Sequence, residues 1–371
     1  MAQLKNTTID DTGVIQIPKG TTAQRPSNPE SGMFRFNTET GNYEIFLQQS
    51  GWSILFQSSI VPIQATGGEI RDWVIGNSVY RVHAFKSTGT STFNVTNAGT
   101  SGKIDVLAVA GGGSGGRRRG GGGGGGGVVF KPNHLITATS YSIVVGAGGQ
   151  NTTVDSGPNG SNGGNSTAFG LTAIGGGRGA ASATGNYNGG NGGSGGGGSS
   201  TNRSPGSSTQ TTFTGAFSFG NNGGNGASTD DSGGGGGGAG APGQNARNPR
   251  FPGNGGIGVN FSHVFTANYG EEGFFGGGGG GSFNDNTAPR SQPGFGGKGG
   301  GGDGAYGNGA LRTGSGGDGN PNLAVKENCR PGLPNTGGGG GGRSSNPATW
   351  NRDSNAGGSG IVLIRYKIAE V

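Results

Sequence analysis

The sequence predicts a mainly β protein with almost no α-helix. Short runs of alternating or apolar residues recur along the chain, which is typical of strands. Glycine accounts for 95 of 371 residues, far above its usual ~7%, and good helix formers are scarce. Together these observations predict a small β-meander, followed by a β-sandwich with an inserted bundle of polyglycine II helices.

Residues 1–60 form the first predicted unit. The segments 33–37, 43–47 and 51–55 alternate between apolar and polar residues and are separated by turn residues, so they predict three consecutive strands. A meander of this size buries little apolar surface by itself. We therefore expect this unit to associate with other chains.

Residues 61–371 form the second predicted unit. Its apolar or alternating segments predict strands at the spacing of a β-sandwich. The predicted strands are 79–85, 91–95, 103–110, 128–130, 141–146, 166–169, 171–174 and 360–367. The last predicted strand follows the others after a very long interval in the sequence. We therefore predict that the glycine-rich body, about 111–360, is an insertion closed by both ends of one sandwich.

The glycine runs 120–127, 233–238, 276–281 and 337–342 allow two interpretations. Sequence rich in Gly, Ser and Asn is usually flexible, because it offers little apolar surface to offset the entropy of ordering. Alternatively, glycine forms left-handed extended helices with three residues per turn and no internal hydrogen bonds. Such rods bond to one another through outward-pointing N–H and C=O groups. The strands that flank the body favour the ordered interpretation.

The charge balance argues against a nucleic-acid-binding face. The formal net charge is +6, but only 12% of residues are charged. This is a small excess of positive charge on a mostly uncharged surface. The cluster Arg117–Arg119 within glycine resembles RGG-type segments, which repeat many times in RNA-binding proteins. Here the cluster occurs once, so we expect an exposed turn that is available to an anionic polysaccharide.

No catalytic group, cofactor site or metal site is predicted. Gly297-Lys298 lacks the Ser or Thr that completes a phosphate loop. The three histidines are isolated, and His83 is expected to face solvent or a strand edge. Cys329, the single cysteine, is expected to be a bystander thiol rather than a nucleophile.

Two pairs of adjacent carboxylates lie in predicted loops, Asp230-Asp231 and Glu271-Glu272. They are candidates for calcium binding, although solvation of the loops is the favoured interpretation. An enzyme is therefore the least favoured class of function.

The N-terminus lacks an apolar signal region, and no apolar stretch approaches the ~20 residues of a membrane span. We expect a protein that is made and folded in a cytoplasm without a standard export signal and that does not insert into a membrane.

The first unit resembles a module that is common in bacteriophage tail fibres and other virion appendages. The resemblance is carried by Ile17-Pro18-Lys19-Gly20-Thr21-Thr22-Ala23-Gln24-Arg25-Pro26, by residues 31–38 and by Gly51-Trp52, about forty residues in all. It implies a β-rich element that forms trimers or attaches to a neighbouring virion protein.

The second unit resembles the glycine-rich domain found at the ends of many phage fibres, and a similar arrangement occurs in some receptor tyrosine kinases. Residues 106–116, 141–149 and 357–366 carry this resemblance. It implies glycine rods packed beside a sandwich. In the glycine-rich adhesins of T-even-like phages the loops between rods touch the receptor, but these loops vary too much to assign individual residues by resemblance.

The loop segments 248–252, 265–275, 283–295 and 320–334 combine aromatic, Asn and Arg side chains, which suit recognition of carbohydrate or protein. The candidate receptor-binding residues are Arg250, Phe251, Tyr269, Phe274, Phe275, Phe283, Arg290 and Phe295. The alternative for each phenylalanine is that it fills the space between rods and sandwich.

The favoured expectation is a non-enzymatic bacteriophage tail fibre in the virion, a homotrimer attached to other virion proteins through its first unit. Its glycine-rich tip would bind a bacterial surface glycan or an outer-membrane protein. The alternative is a capsid fibre or decoration protein with a structural role only. A disordered RGG-like RNA-binding protein is the least favoured of the three.

Overall fold

The computed structural model describes residues 17–56, 61–151, 160–182, 188–200, 203–227, 232–247, 251–283, 293–305, 329–344 and 355–370. The chain divides into two compact units, Met1–Ile60 and Val61–Val371. The protein is mainly β, as the sequence predicts. The described residues contain a single α-helix, of four residues, and one 3₁₀ turn.

The first unit holds a four-stranded sheet in the order β1-β2-β3-β4. β1 pairs with β2 in parallel, and the other pairs are antiparallel. The strands are β1 Lys19–Gly20, β2 Phe34–Asn37, β3 Asn42–Leu47 and β4 Gly51–Phe56, with the 3₁₀ turn at Thr22–Gln24. The three strands of the predicted meander are confirmed as β2, β3 and β4.

One face of this sheet is built from buried polar side chains. Arg35 is 5%, Asn37 0% and Glu44 4% exposed. The Glu44 carboxylate accepts hydrogen bonds from Arg25 Nη2 at 2.5 Å and from Asn37 Nδ2 at 2.8 Å. The bond from Arg25 is the main reason that the pKa of Glu44 is lowered. This network replaces an apolar core on that face.

The other face of the sheet is apolar and open. Phe34 is 48%, Tyr43 45% and Leu47 41% exposed. Phe34 and Tyr43 lie on the same face, because Phe34 pairs with Ile45 and Phe36 with Tyr43 across β2 and β3. We name this surface the open face of the first unit. Exposed aromatic side chains on a contiguous sheet face are typical of an interaction surface.

The second unit contains two main antiparallel sheets. One has six strands in the order β14-β10-β9-β17-β7-β6, and the other has five in the order β13-β12-β11-β8-β5. The elements are β5 Gln64–Thr66, β6 Glu69–Ile75, β7 Ser78–Phe85, β8 Gly89–Asn97, β9 Lys103–Val109, β10 Val128–Leu135, β11 Ser140–Val145, β12 Ser166–Ala168, β13 Leu171–Ala173, β14 Phe217–Phe219, β15 Val259–Asn260, α1 Ser262–Phe265, β16 Phe274–Phe275 and β17 Ile361–Glu370.

The centre of the six-stranded sheet is buried on both faces. Toward the five-stranded sheet it packs Val106, Ala108 and Ile364 into the core of the sandwich. Its opposite face packs Leu107, Leu363 and their neighbours against the segment 261–275, which contains α1. Strands buried on both sides are continuous apolar runs, and β9 and β17 show that pattern.

Both ends of the glycine-rich body connect to the centre of this sheet. β9 leads directly into Gly111, and the chain returns from Gly127 into β10. β17 follows Gly360 and pairs with both β9 and β7. The body is therefore an insertion closed by strands from both ends of the sandwich, as predicted.

The prediction that His83 faces solvent or a strand edge is wrong. His83 is 0% exposed. Its Nδ1 donates to the Gly67 carbonyl at 2.7 Å, and its Nε2 accepts from the Tyr366 hydroxyl at 2.9 Å. Burial lowers the pKa of His83 and raises the pKa of Tyr366 to about 12. The histidine is a neutral core residue with both ring nitrogens satisfied.

Candidate functional site

The segment 120–127, which we call the central rod, donates its backbone N–H groups to three neighbouring segments in turn. Every third residue returns to the same neighbour. Along one neighbour the N–H···O pairs are Gly121 to Ala180 at 3.0 Å, Gly124 to Gly177 at 2.8 Å and Gly127 to Ile174 at 2.8 Å. A repeat of three residues, with bonds leaving the segment, is the geometry of a polyproline II type helix.

The carbonyl groups of the central rod accept bonds from three further segments, in the same steps of three. One series runs from Gly116 to Gly121, from Gly113 to Gly124 and from Ala110 to Gly127. Six segments therefore surround the central rod: 110–116, 174–180, 194–197, 234–237, 279–282 and 337–343.

The six surrounding segments also bond to one another. The donor–acceptor pairs that link successive neighbours are Gly176 to Gly111, Gly177 to Ser194, Gly234 to Gly198, Gly236 to Gly279, Gly339 to Gly277 and Gly340 to Gly113. These bonds close a ring around the central rod. The glycine runs are therefore a cross-bonded bundle, and the ordered interpretation of the sequence is confirmed.

Close approach explains why the bundle requires glycine. A Cβ atom added to Gly122 would lie 1.9 Å from the carbonyl oxygen of Gly279. At Gly124 it would lie 2.2 Å from that of Ser194. Backbones that approach this closely leave no volume for a side chain, as at the axis of collagen.

The bundle has two distinct ends. At the near end, Ala110 and Gly127 continue into β9 and β10. At the far end the chain turns at 117–119, and Gly120 bonds to Ser282 and Arg343. The rods that lead into and out of 248–250, 284–292, 306–328 and 345–354 end at this far end, while those four connections lie outside the described residues.

The turn at Arg117–Arg119 differs in part from the prediction. Arg118 and Arg119 have φ values of 49° and 61°, so the tight turn is confirmed. Arg117, however, is only 2% exposed. Its side chain lies within the bundle and is not the exposed contact that the sequence suggested.

Three of the candidate receptor-binding residues lie at the near end. Tyr269 is 4% and Phe275 0% exposed, and both pack in the core beneath the six-stranded sheet. Phe274 is half-buried, and the Nζ atom of Lys298 lies 4.7 Å from its ring centroid. Phe275 thus matches the alternative interpretation, a phenylalanine that fills the space between rods and sandwich. Tyr269 is equally buried, and none of the three lies at the far end.

Three further candidates lie on rods that reach the far end. Phe283 is 1% exposed and packs inside the bundle, Phe251 is 51% exposed, and Phe295 is half-buried. Arg250 and Arg290 lie outside the described residues. Of the predicted set, the structure thus brings together Phe251 and Phe295.

Phe251 and Phe295 line a cavity of about 470 Å³, which we call the far-end groove. Its volume lies within the range of small-ligand sites, roughly 300–1,000 Å³. Three adjacent rod segments form it, and its lining residues are Gln244, Asn245, Arg247, Phe251, Pro252, Asn254, Pro293 and Phe295.

Backbone bonds fix the principal side chains of the groove. Arg247 and Phe251 exchange N–H···O bonds of 2.8 and 3.0 Å, which places their side chains on the same face of a short antiparallel bridge. Asn245 Oδ1 accepts the backbone N–H of Asn225 at 2.7 Å. Asn254 Oδ1 accepts that of Phe295 at 2.8 Å. Each asparagine therefore keeps its Nδ2 group for other contacts.

Four of these residues could not be predicted from the sequence pattern. Gln244, Asn245, Arg247 and Asn254 enter the groove through the register of three rods, which pair residues far apart in the chain. The aromatic, Asn and Arg side chains of 248–252 and 283–295 were what pointed to this region in the sequence.

The near-end carboxylates have structural partners. Glu271 Oε2 accepts the backbone N–H groups of Gly299 at 2.6 Å and Gly300 at 2.8 Å, and burial raises the pKa of Glu271. Glu272 pairs with Lys298 at 2.5 Å. Among the described residues, no group of three or more His, Cys, Asp or Glu side chains could hold a metal ion. Asp230-Asp231 lies outside the described residues.

Comparison with known families identifies the second unit. The profile of a glycine-rich domain matches residues 86–367. The chain belongs to this glycine-rich domain family. The match spans the rods and most strands of the sandwich, so the family assignment covers the body that carries the far-end groove. No curated protein matches the chain.

The residues that the structure describes include no helix with the length and apolar character needed to cross a bilayer.

Proposed function

We propose that this glycine-rich domain protein is a bacteriophage virion appendage, a tail fibre whose far end recognises the host surface. The cross-bonded bundle supports this proposal most strongly. Because six neighbouring segments bond to the central rod, the far end of the bundle is fixed before a ligand binds. Binding there therefore loses less conformational entropy.

The target is a bacterial surface glycan or an outer-membrane protein. Each far end presents a limited contact surface, and several copies per virion multiply weak contacts into firm attachment. The resemblance of residues 17–52 to virion fibre modules supports the phage assignment.

The open face of the first unit supports a homotrimer attached to other virion proteins. Phe34, Tyr43 and Leu47 present apolar surface that a second and third copy would bury. Burial of apolar area contributes roughly 25 cal/mol per Å², so burying these side chains between copies would favour association.

The test measures binding of the labelled full-length chain to a panel of bacterial strains. Deleting all of 245–335 would remove the ring segment 279–282, so it would damage the bundle as well as the tip. Replacing 306–328 by a short Gly-Ser linker keeps every described rod, since Arg330 N–H bonds to Asp303 on the adjoining rod at 2.9 Å. A matched replacement of 284–292 tests the neighbouring connection.

We expect saturable binding to some strains, which unlabelled chain displaces and which one or both replacements reduce. A chain that binds no strain would contradict the receptor role. That result would favour the capsid fibre or decoration protein, whose role is structural only.

A further inference from the structure

The far-end groove offers hydrogen-bond donors in fixed positions. The Oδ1 atoms of Asn245 and Asn254 are occupied by backbone N–H groups, so the Nδ2 groups, which only donate, are left to meet a ligand. The guanidinium of Arg247 is exposed. None of the described lining residues carries a carboxylate. The groove therefore suits a ligand that is rich in acceptor oxygens.

The groove also offers an aromatic face. Phe251 is 51% exposed, although phenylalanine has no polar group that favours exposure. The bridge with Arg247 holds both residues on one face, so a ring-sized ligand can pack on Phe251 while Arg247 reaches its edge. Arg forms the strongest hydrogen bonds with anionic oxygens, often two at a time.

We infer that the far-end groove binds an acidic sugar residue of a surface polysaccharide, with its ring on Phe251 and its anionic group on Arg247. Gln244, Asn245 and Asn254 would bond to the sugar hydroxyl and ring oxygens. This inference rests on the proposed receptor-binding role of the far end, and it specifies the class of receptor. The shared chemistry is an anion on a sugar ring, either a carboxylate or a phosphate.

The test titrates the full-length chain with D-glucuronate, glucose 6-phosphate and glucose, and follows the side-chain amide signals of Asn245 and Asn254 by NMR. We expect at least one acidic sugar to shift these signals at millimolar concentration, and glucose to bind about tenfold more weakly. The two acidic probes distinguish a carboxylate from a phosphate ligand. Equal binding of glucose, or no shift with any probe, would overturn the inference.

Variants locate the contacts. R247Q should reduce affinity for the acidic sugar about tenfold and leave that for glucose unchanged, while F251A should weaken both. Matched controls at the other end of the second unit are R71Q and F217A, since Phe217 is 59% exposed and Arg71 is exposed on β6. Unchanged binding in both groove variants would place the ligand elsewhere.

The same variants in the cell-binding assay separate the two proposals. Normal cell binding by R247Q and F251A, without sugar binding by the parent chain, would overturn the groove assignment and leave the receptor role standing. If the chain binds the sugar but attaches to no cell, the receptor role is overturned and the groove assignment stands.

Discussion

At the scale of single residues, glycine acts here by the absence of a side chain rather than by access to positive φ. Within the central rod no residue has φ in the left-handed region, whereas bundle entry points such as Gly276 and Gly337 do, at 73° and 71°. What the rods require is space for a neighbouring carbonyl. In collagen one residue in three must be glycine for the same reason. In the central rod, neighbouring backbones approach on all sides.

Replacing Gly122 by alanine tests this requirement. The added Cβ would lie 1.9 Å from the Gly279 oxygen, so the rods must separate and their bonds weaken. We expect a loss of at least the ~1–3 kcal/mol typical of overpacking, measured by chemical denaturation. Gly164→Ala is the matched control, because its nearest contact would be 3.1 Å and a small shift relieves it. Equal stability of the two variants would contradict the account.

His83 predicts a pH dependence of folding stability. Burial lowers its pKa in the folded state, with Arg81 adding to the effect and the Gly67 carbonyl and Asp72 opposing it. Protonation therefore favours the unfolded chain. The stability from this site is complete above the unfolded pKa of about 6.5 and is lost as the pH falls toward the lower folded value.

Urea denaturation between pH 8 and pH 5 measures this effect. The wild-type chain should lose stability toward pH 5, and His83→Gln should show a flatter profile, although His134, whose pKa burial also lowers, retains part of the slope. Thr90→Ser, at an exposed position of β8, removes no titrating group and should keep the wild-type slope. A His83→Gln profile as steep as that of the wild type would contradict the assignment.

Side-chain placement was the least predictable feature from sequence. Alternation placed His83 on a strand correctly, but it could not show that both faces of β7 are covered. Phe275 and Phe283 look much the same as Phe251 in sequence, since each lies within two residues of a glycine. Whether each ring is buried depends on which rod lies opposite it. Runs of identical glycines do not indicate how neighbouring rods align, so the sequence does not reveal this.

At the scale of elements, strands were predictable where the residue pattern carries them. The predicted segments 103–110 and 360–367 correspond to β9 and β17, with bounds that differ by at most three residues. β6 was missed, and so were five strands of two or three residues, β1, β5, β14, β15 and β16. β6 mixes Glu, Arg and Asp with apolar residues because it is the edge strand of its sheet, and β14 is three residues long.

The open face of the first unit predicts association through that sheet. Replacing Phe34 and Leu47 together by serine removes apolar surface that is exposed in the single chain, so the folded unit should persist while the trimer dissociates. Sedimentation velocity should show a trimer for the wild-type chain and a monomer for the variant. Thr40→Ser, in the turn between β2 and β3, is the control. A wild-type chain that stays monomeric at tens of micromolar would contradict the prediction.

At the scale of the whole molecule, the sandwich and the rods depend on each other. Almost every residue of the central rod bonds to segments that are distant in sequence, so no rod is stable alone and the bundle must form as a unit. β9, β10 and β17 fix where the rods begin and end. The existence of this bundle could be predicted from composition and flanking strands, but its sixfold arrangement required the hydrogen-bond register.

Amide hydrogen exchange of the central rod tests the central claim most directly. The N–H groups of residues 121–127 are buried and bonded to neighbouring segments, so they should exchange as slowly as those of β9, through global unfolding. Exchange of these amides at the rate of an unstructured glycine chain, while β9 remains protected, would show that the rods are not bonded laterally and would contradict the account.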